Sequence, residues 1–357
     1  MESIYSRLRT HLDSMPNGYP ATKSGVEIEI LKMIFTEEEA ELFMKLKMTF
    51  ETPQQTAGRT GVDIETLNRL LPQMTRKGQL LGIVLRNFSM YKAMPFIFGI
   101  YEFQLPRIDK EMALLCEKYG EEAFTRDFFS KTPPLMKAIP IGIEVKDDTK
   151  IEPYESVATF IEGAKSWAVR DCICKKEKEL LGKRCDKPME VCLSFAPVEH
   201  AFDNDHASRA ITKEEAYSIL RMSEEAGLVH MTSNVKSGQY YICNCCKCCC
   251  GPLSKYIAVS KNAAAKSNYI AVVDKDACIA CGVCADRCQA GAVTINDYAV
   301  MRDCIGCGLC VSTCPTGAIK MVKREGSEQV QVPENESDWM AQRAEGRGLG
   351  DEYKKLF

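Results

Sequence analysis

Cys278-Ile279-Ala280-Cys281-Gly282-Val283-Cys284-Ala285-Asp286-Arg287-Cys288 returns 26 residues later as Cys304-Ile305-Gly306-Cys307-Gly308-Leu309-Cys310-Val311-Ser312-Thr313-Cys314. Each copy reads C-x2-C-x2-C-x3-C, and the match continues, with Gly291-Ala292-Val293 answered by Gly317-Ala318-Ile319. Three thiolates spaced two residues apart can wrap one iron–sulfur core. Gly282, Gly306 and Gly308 permit the tight turns that aim backbone N–H groups at sulfur. A structural zinc site prefers two separated C-x2-C pairs per ion, which suits this run poorly.

Residues 268 to 324 thus resemble a bacterial-type two-cluster [4Fe-4S] ferredoxin domain. The resemblance implies a compact fold of two short hairpins and two helices related by pseudo-two-fold symmetry, in which the fourth Cys of each run serves the other cluster. It assigns Cys278, Cys281, Cys284 and Cys314 to one cluster, and Cys304, Cys307, Cys310 and Cys288 to the second. Gln289 follows Cys288 where the family usually has Pro, whereas Cys314 keeps Pro315. That departure bears on the potential of the neighbouring cluster more than on ligation.

Eighteen of the 19 cysteines lie between Cys172 and Cys314. The opening residues, Met1 to Arg9, lack the apolar stretch of a signal peptide, so the chain is read as cytoplasmic; there, such a density points to metal or redox work instead of disulfides. Cys172, Cys174, Cys185 and Cys192 supply four thiolates, enough for one cluster. Segment 170–187 holds seven Lys or Arg against four acids, which suits an anionic centre. The loop Cys243-Asn244-Cys245-Cys246-Lys247-Cys248-Cys249-Cys250 packs six cysteines into eight residues. It can serve a further cluster alone or share ligands with the first set, since ten thiols allow two clusters with two spare. Zinc and a non-cubane cluster are the competing readings. The strings Arg170-Asp171-Cys172-Ile173-Cys174 and Ile242-Cys243-Asn244-Cys245-Cys246 also resemble a segment of multi-cluster iron–sulfur proteins of anaerobic bacteria and archaea. In those proteins a winged-helix-like region precedes and a two-cluster ferredoxin domain follows, which implies anaerobic redox metabolism and names no substrate.

Working further outward, the front half is almost free of cysteine. Periodicity predicts helices over 37–47 with Thr36 as N-cap, 53–59 and 63–77, the last closed by Gly78; strands 80–85 and 90–98 follow around the turn 86–89. Helix, turn, helix and hairpin is the order of a winged helix. A helix over 107–130, a strand over 139–145 and a long helix from Pro153 to about Arg170 come next. Thr212 and Glu215 open a helix to about Ala226, closed by Gly227, and strands 228–231 and 239–242 pair around the turn 233–238. With a formal charge of −3 and 45% apolar residues, the chain is a folded protein without a global charge excess to attract nucleic acid. Residues 52–81 carry a net charge of only +2, and Asp63 and Glu65 open the helix that would enter DNA, so nucleic acid is not the expected partner. No transmembrane run is present.

The fold class expected is α+β: a winged-helix-like region over 1–105, an α/β Cys-rich iron–sulfur domain over 106–267, the two-cluster ferredoxin fold over 268–324, and an extended tail over 325–357. Cys116 on an apolar helix face reads as a packed core thiol, His200 and His206 as solvated loop residues, and His230 as a core histidine near the six-Cys loop. Trp339 and Phe357 in the tail read as anchors for another protein's groove. The function expected is single-electron relay through several [4Fe-4S] clusters, two in the ferredoxin domain and one or two upstream, to or from partner oxidoreductase subunits. The chain is read as an electron-transfer subunit in preference to a stand-alone enzyme, and no catalytic residue is assigned. The alternatives are a redox-sensing winged-helix transcription regulator and a thiol/disulfide or sulfur-converting enzyme built on the loop 243–250.

Overall fold

The computed structural model describes residues 2–85, 88–140, 155–203 and 205–357. The chain divides into two units, one of Met1–Phe128, Glu179–Lys183 and Met340–Phe357, the other of Phe129–Lys178 and Arg184–Trp339. In the first unit, α1 (Ile4–Asp13), α2 (Val26–Ile34) and α3 (Glu37–Phe43) bury Leu8, Leu12, Ile30, Leu31 and Phe43. Thr36 and Glu39 form a reciprocal capping box at the start of α3, satisfying two donors the helix cannot pair internally. Thr52 and Gln55 repeat the device for α4 (Pro53–Thr60). Next, α5 (Ile64–Arg76) buries Leu67, Leu70, Leu71 and Met74, as its spacing requires.

Strands β1 (Leu80–Leu85) and β2 (Phe88–Ala93) then pair antiparallel, with residues 86 and 87 of the expected turn outside the described residues. The second strand stops at Ala93, short of Phe98, because Pro95 has no N–H for a ladder and Phe96–Ile100 coils irregularly with Phe98 at φ 59°. One helix expected over 107–130 is two, α6 (Lys110–Ala123) and α7 (Arg126–Ser130), broken where Phe124 leaves helical geometry.

The second unit is organised by an antiparallel sheet of six strands in the order β3-β7-β8-β5-β4-β6. Its elements in chain order are β3 (Met136–Ala138), α8 (Val157–Glu162), β4 (Ser166–Asp171), α9 (Ile173–Leu180), β5 (Glu190–Ala196), β6 (Arg209–Ile211), α10 (Lys213–Glu225), β7 (Val229–Ser233) and β8 (Tyr241–Cys245). The long helix expected up to Arg170 is therefore corrected to the short α8 and the strand β4. Gly163 ends the helix, and Trp167, Ala168 and Val169 are flanked by strands on both sides, so sheet pairing overrides the local helical pattern. Pro153 and residues 141–145 of the expected strand 139–145 lie outside the described residues. One core, built on Val157, Phe160, Ile161, Val169, Leu193 and Ile242, joins α8 and α10 to the sheet.

Beyond α11 (Gly251–Ala258), β9 (Tyr269–Val273) pairs with the returning β12 (Ile319–Lys323), enclosing α12 (Val283–Arg287) and the hairpin of β10 (Val293–Ile295) and β11 (Ala299–Met301). Only the first Cys run forms a helix among the described residues. In the second, the N–H groups of Val311 and Cys314 bond three residues back, making successive turns.

The tail corrects a further expectation, since it carries α13 (Glu336–Arg347) and is not an extended arm. Trp339 is buried in the second unit, donating its indole N–H to the Pro134 carbonyl at 2.9 Å. From Met340 onward the chain belongs to the first unit. There Arg347 pairs with Asp13 at 2.7 Å, Leu356 accepts from the Met48 N–H at 2.7 Å, and the Phe357 carbonyl accepts from Lys47 Nζ at 2.6 Å. Both aromatic residues read as partner anchors are engaged by this chain itself.

Candidate metal centres

The ferredoxin-like segment forms two cavities. Cys278, Cys281 and Cys284 from the first run and Cys314 from the second line one, together with Ile295, Ala299 and Pro315. Cys304, Cys307 and Cys310 from the second run and Cys288 from the first line the other. The backbone turns do the aiming: the N–H groups of Ala299, Ala292 and Gly306 donate to the sulfurs of Cys278, Cys288 and Cys304 at 3.4, 3.2 and 3.4 Å. Burial opposes the Cys314 thiolate, but hydrogen bonds from the Thr316 side chain and from backbone N–H groups at 316, 318 and 319 outweigh it and lower the pKa. Burial raises Cys307 to about 12, so that thiol keeps its proton unless a metal displaces it. Four thiols around each apolar recess, with N–H donors directed at sulfur, fit an iron–sulfur cluster in both places.

The ten upstream thiols do not group as their order along the chain suggests. Cys185 leaves its sequence neighbours and joins Cys246, Cys248 and Cys249; these four sulfurs all lie within 4.8 Å of one another. The other six form two hydrogen-bonded strings, Cys172 with Cys174 and the succession Cys192, Cys243, Cys245 and Cys250, with charge on Cys192 felt at Cys172 and charge on Cys250 felt at Cys174. Strand geometry explains the split. Along β8, Cys243 and Cys245 project from one face and Asn244 from the other, while β5 carries Cys192 alongside. After the strand, the Cys250 N–H closes a turn onto the Cys246 carbonyl, which sends Cys246, Cys248 and Cys249 towards Cys185.

Cationic groups attend both sets. Lys175 is buried, with its Nζ 2.7 Å from the Pro188 carbonyl, and its charge favours the thiolates of Cys172, Cys192 and Cys246. A hydrogen bond from Cys243 is the largest influence lowering Cys192 to about 6, and Arg170 adds a charged donor to the same sulfur. A hydrogen bond from Cys249 likewise dominates the lowering of Cys246 to about 5. Each set thus contains a sulfur disposed to ionise and coordinate.

Three polar residues complete the surroundings. His230 is buried with its Nδ1 2.5 Å from Asn244 Oδ1, and burial lowers its pKa to about 4, so the neutral ring braces Asn244. Asn244 in turn donates to the Val191 carbonyl at 2.6 Å. Gln289, the residue standing where the resembled family usually has Pro, accepts from the Lys247 N–H at 3.0 Å and so ties the Cys288 segment to the six-Cys loop. Sequence reasoning noticed Gln289 only as a departure; a side-chain amide in place of Pro was the available signal. Cys116 packs in α6, and His200 and His206 are exposed, His200 lying 2.9 Å from Asp203.

Residues 271–294 and 300–320 match the family model of the 4Fe-4S binding domain. This segment is a [4Fe-4S]-binding domain. The match gives the protein an iron–sulfur electron-transfer character in general terms, and the two matched stretches coincide with the two Cys runs. No curated protein and no solved structure matches the chain. Among the described residues no helix is long and apolar enough to cross a membrane.

Proposed function

We propose that the protein relays single electrons through two [4Fe-4S] clusters of bacterial ferredoxin type and through one or two further clusters held by the upstream thiolates, to or from an oxidoreductase partner in anaerobic, cytoplasmic metabolism. The observation that carries the reading is the pair of cavities, each lined by three cysteines of one run and the fourth of the other. A bound cluster supplies one-electron chemistry. This chain supplies the thiolates, the N–H donors that tune the potential, and the burial that excludes water. The bond between Gln289 and the Lys247 backbone supports an electron route from the upstream thiols towards the cluster assigned to Cys288. The helix, turn, helix and hairpin of the first unit act as a winged-helix-like scaffold in this reading. Arg59, Arg69 and Lys77, three of the four basic residues over 52–81, are ion-paired to Glu51, Glu38 and Glu39, which weighs against phosphate binding.

The test is anaerobic purification followed by a spectroscopic redox titration of wild type and Cys288→Ala. Two titrating [4Fe-4S] centres are expected in the wild type. The variant should damage the cluster assigned to Cys304, Cys307 and Cys310 and leave the Cys278 cluster intact. Loss of the Cys278 cluster alone would refute the crossed assignment.

A further inference from the structure

The sulfurs of Cys185, Cys246, Cys248 and Cys249 are spaced for one metal ion. Successive separations are 3.9 Å for Cys185–Cys246, 3.3 Å for Cys246–Cys248, 3.8 Å for Cys248–Cys249 and 3.6 Å for Cys249–Cys185. Four thiolates around a tetrahedral ion, each at about 2.3 Å, have edges of roughly 3.8 Å. In a cubane each thiolate binds a different iron and points outward from its own corner, so the sulfurs must stand farther apart. The ferredoxin cavities provide the comparison within the same chain: among the described residues, neither brings three of its sulfurs within 4.8 Å of one another.

We infer that Cys185, Cys246, Cys248 and Cys249 hold a single tetrahedral ion of the zinc class, and that the other six upstream thiols surround a separate iron–sulfur centre. Val191 and Leu228 pack against this set, and the donors are four soft sulfurs without an oxygen or imidazole, the composition of a closed structural site. The ion ties the Cys185 loop to the loop after β8. That tie holds Cys172, Cys174 and Cys192 in register with Cys243, Cys245 and Cys250, so the ion's role is positional. This refines the ligand assignment of the upstream thiols and does not rest on the electron-transfer role.

The experiment is metal analysis and X-ray absorption at the zinc edge on the anaerobically purified full chain, with Cys248→Ser as the variant because Cys248 is the exposed member of the set. Expected are one zinc per chain with four sulfurs at about 2.3 Å and no neighbouring iron. In the variant, zinc retention against a chelator should fall by roughly tenfold or more. The two ferredoxin signals, recorded on the same samples, should persist and show that the variant is folded. A metal–metal distance at the zinc edge, or loss of a multi-iron signal together with zinc-free wild-type protein, would overturn the inference. Failure of the ferredoxin signals to titrate would count against the electron-transfer reading and leave the zinc geometry standing.

Discussion

At Gly306 the backbone sits at φ +74°, and a Cβ there would lie 2.1 Å from both the Ser267 hydroxyl and the Tyr269 carbonyl oxygen. Its own N–H meanwhile reaches the Cys304 sulfur. A side chain would thus meet backbone on one flank and disturb a ligand on the other. Left-handed geometry alone costs an L-residue about 1–2 kcal/mol, and the clash adds to it. Gly306→Ala is expected to deplete iron from the cluster assigned to Cys304, Cys307, Cys310 and Cys288, with the Cys278 cluster less affected; full occupancy of both by iron analysis and EPR would contradict this. The glycine was legible in sequence because turns between closely spaced ligands need it. The contact with Ser267 was not, since 39 residues separate the two.

Among the elements, α13 and the chain after it depart furthest from their local signal. The lack of a sustained period beyond Lys323 suggested an arm, yet Met340, Ala344 and Leu356 are buried, and Arg343 lies with its guanidinium 5.7 Å from the centre of the Phe128 ring. Burial of the Met340 and Leu356 side chains contributes up to roughly 3–6 kcal/mol, an upper figure because the unfolded chain already buries some of that area. Deleting residues 340–357 is accordingly expected to speed hydrogen exchange in α1 to α3 while iron content in the second unit is retained. Unchanged exchange in those helices would show that the segment is dispensable. β4 is the other case: its tryptophan, alanine and valine are compatible with either state, and strands on both sides decide for sheet.

At the scale of the whole molecule, the two units draw their cohesion from different sources. The first is packed with apolar and aromatic side chains, including the Tyr19 ring tilted against those of Phe96 and Tyr119, with ring centres 4.4 and 4.9 Å away. Around the thiol groups of the second, cysteine is itself a substantial part of the core: Cys284, Cys246 and Cys249 are buried there, with other thiols packed against them. Where ligands make up the core, metal binding is folding free energy. Anaerobic treatment with a strong chelator and reductant is therefore expected to open residues 184–339 to limited proteolysis while 1–128 stay protected, as mapped by mass spectrometry. Equal loss of protection in both would show that the first unit also depends on metal.

How much of this was written along the chain depends on the range of the interaction. The Cys runs, their glycines and the capping residues Thr36 and Thr212 act within a few residues, so spacing alone announced an iron–sulfur segment and much of the helical front. Which upstream thiols keep company could not be read that way. Cys185 meets Cys246 across 61 residues because β5 and β8 lie side by side in a sheet and a turn follows β8. Sulfur positions at such separations are decided by strand pairing and by which face of the sheet each residue takes, quantities that exist only once the chain has folded.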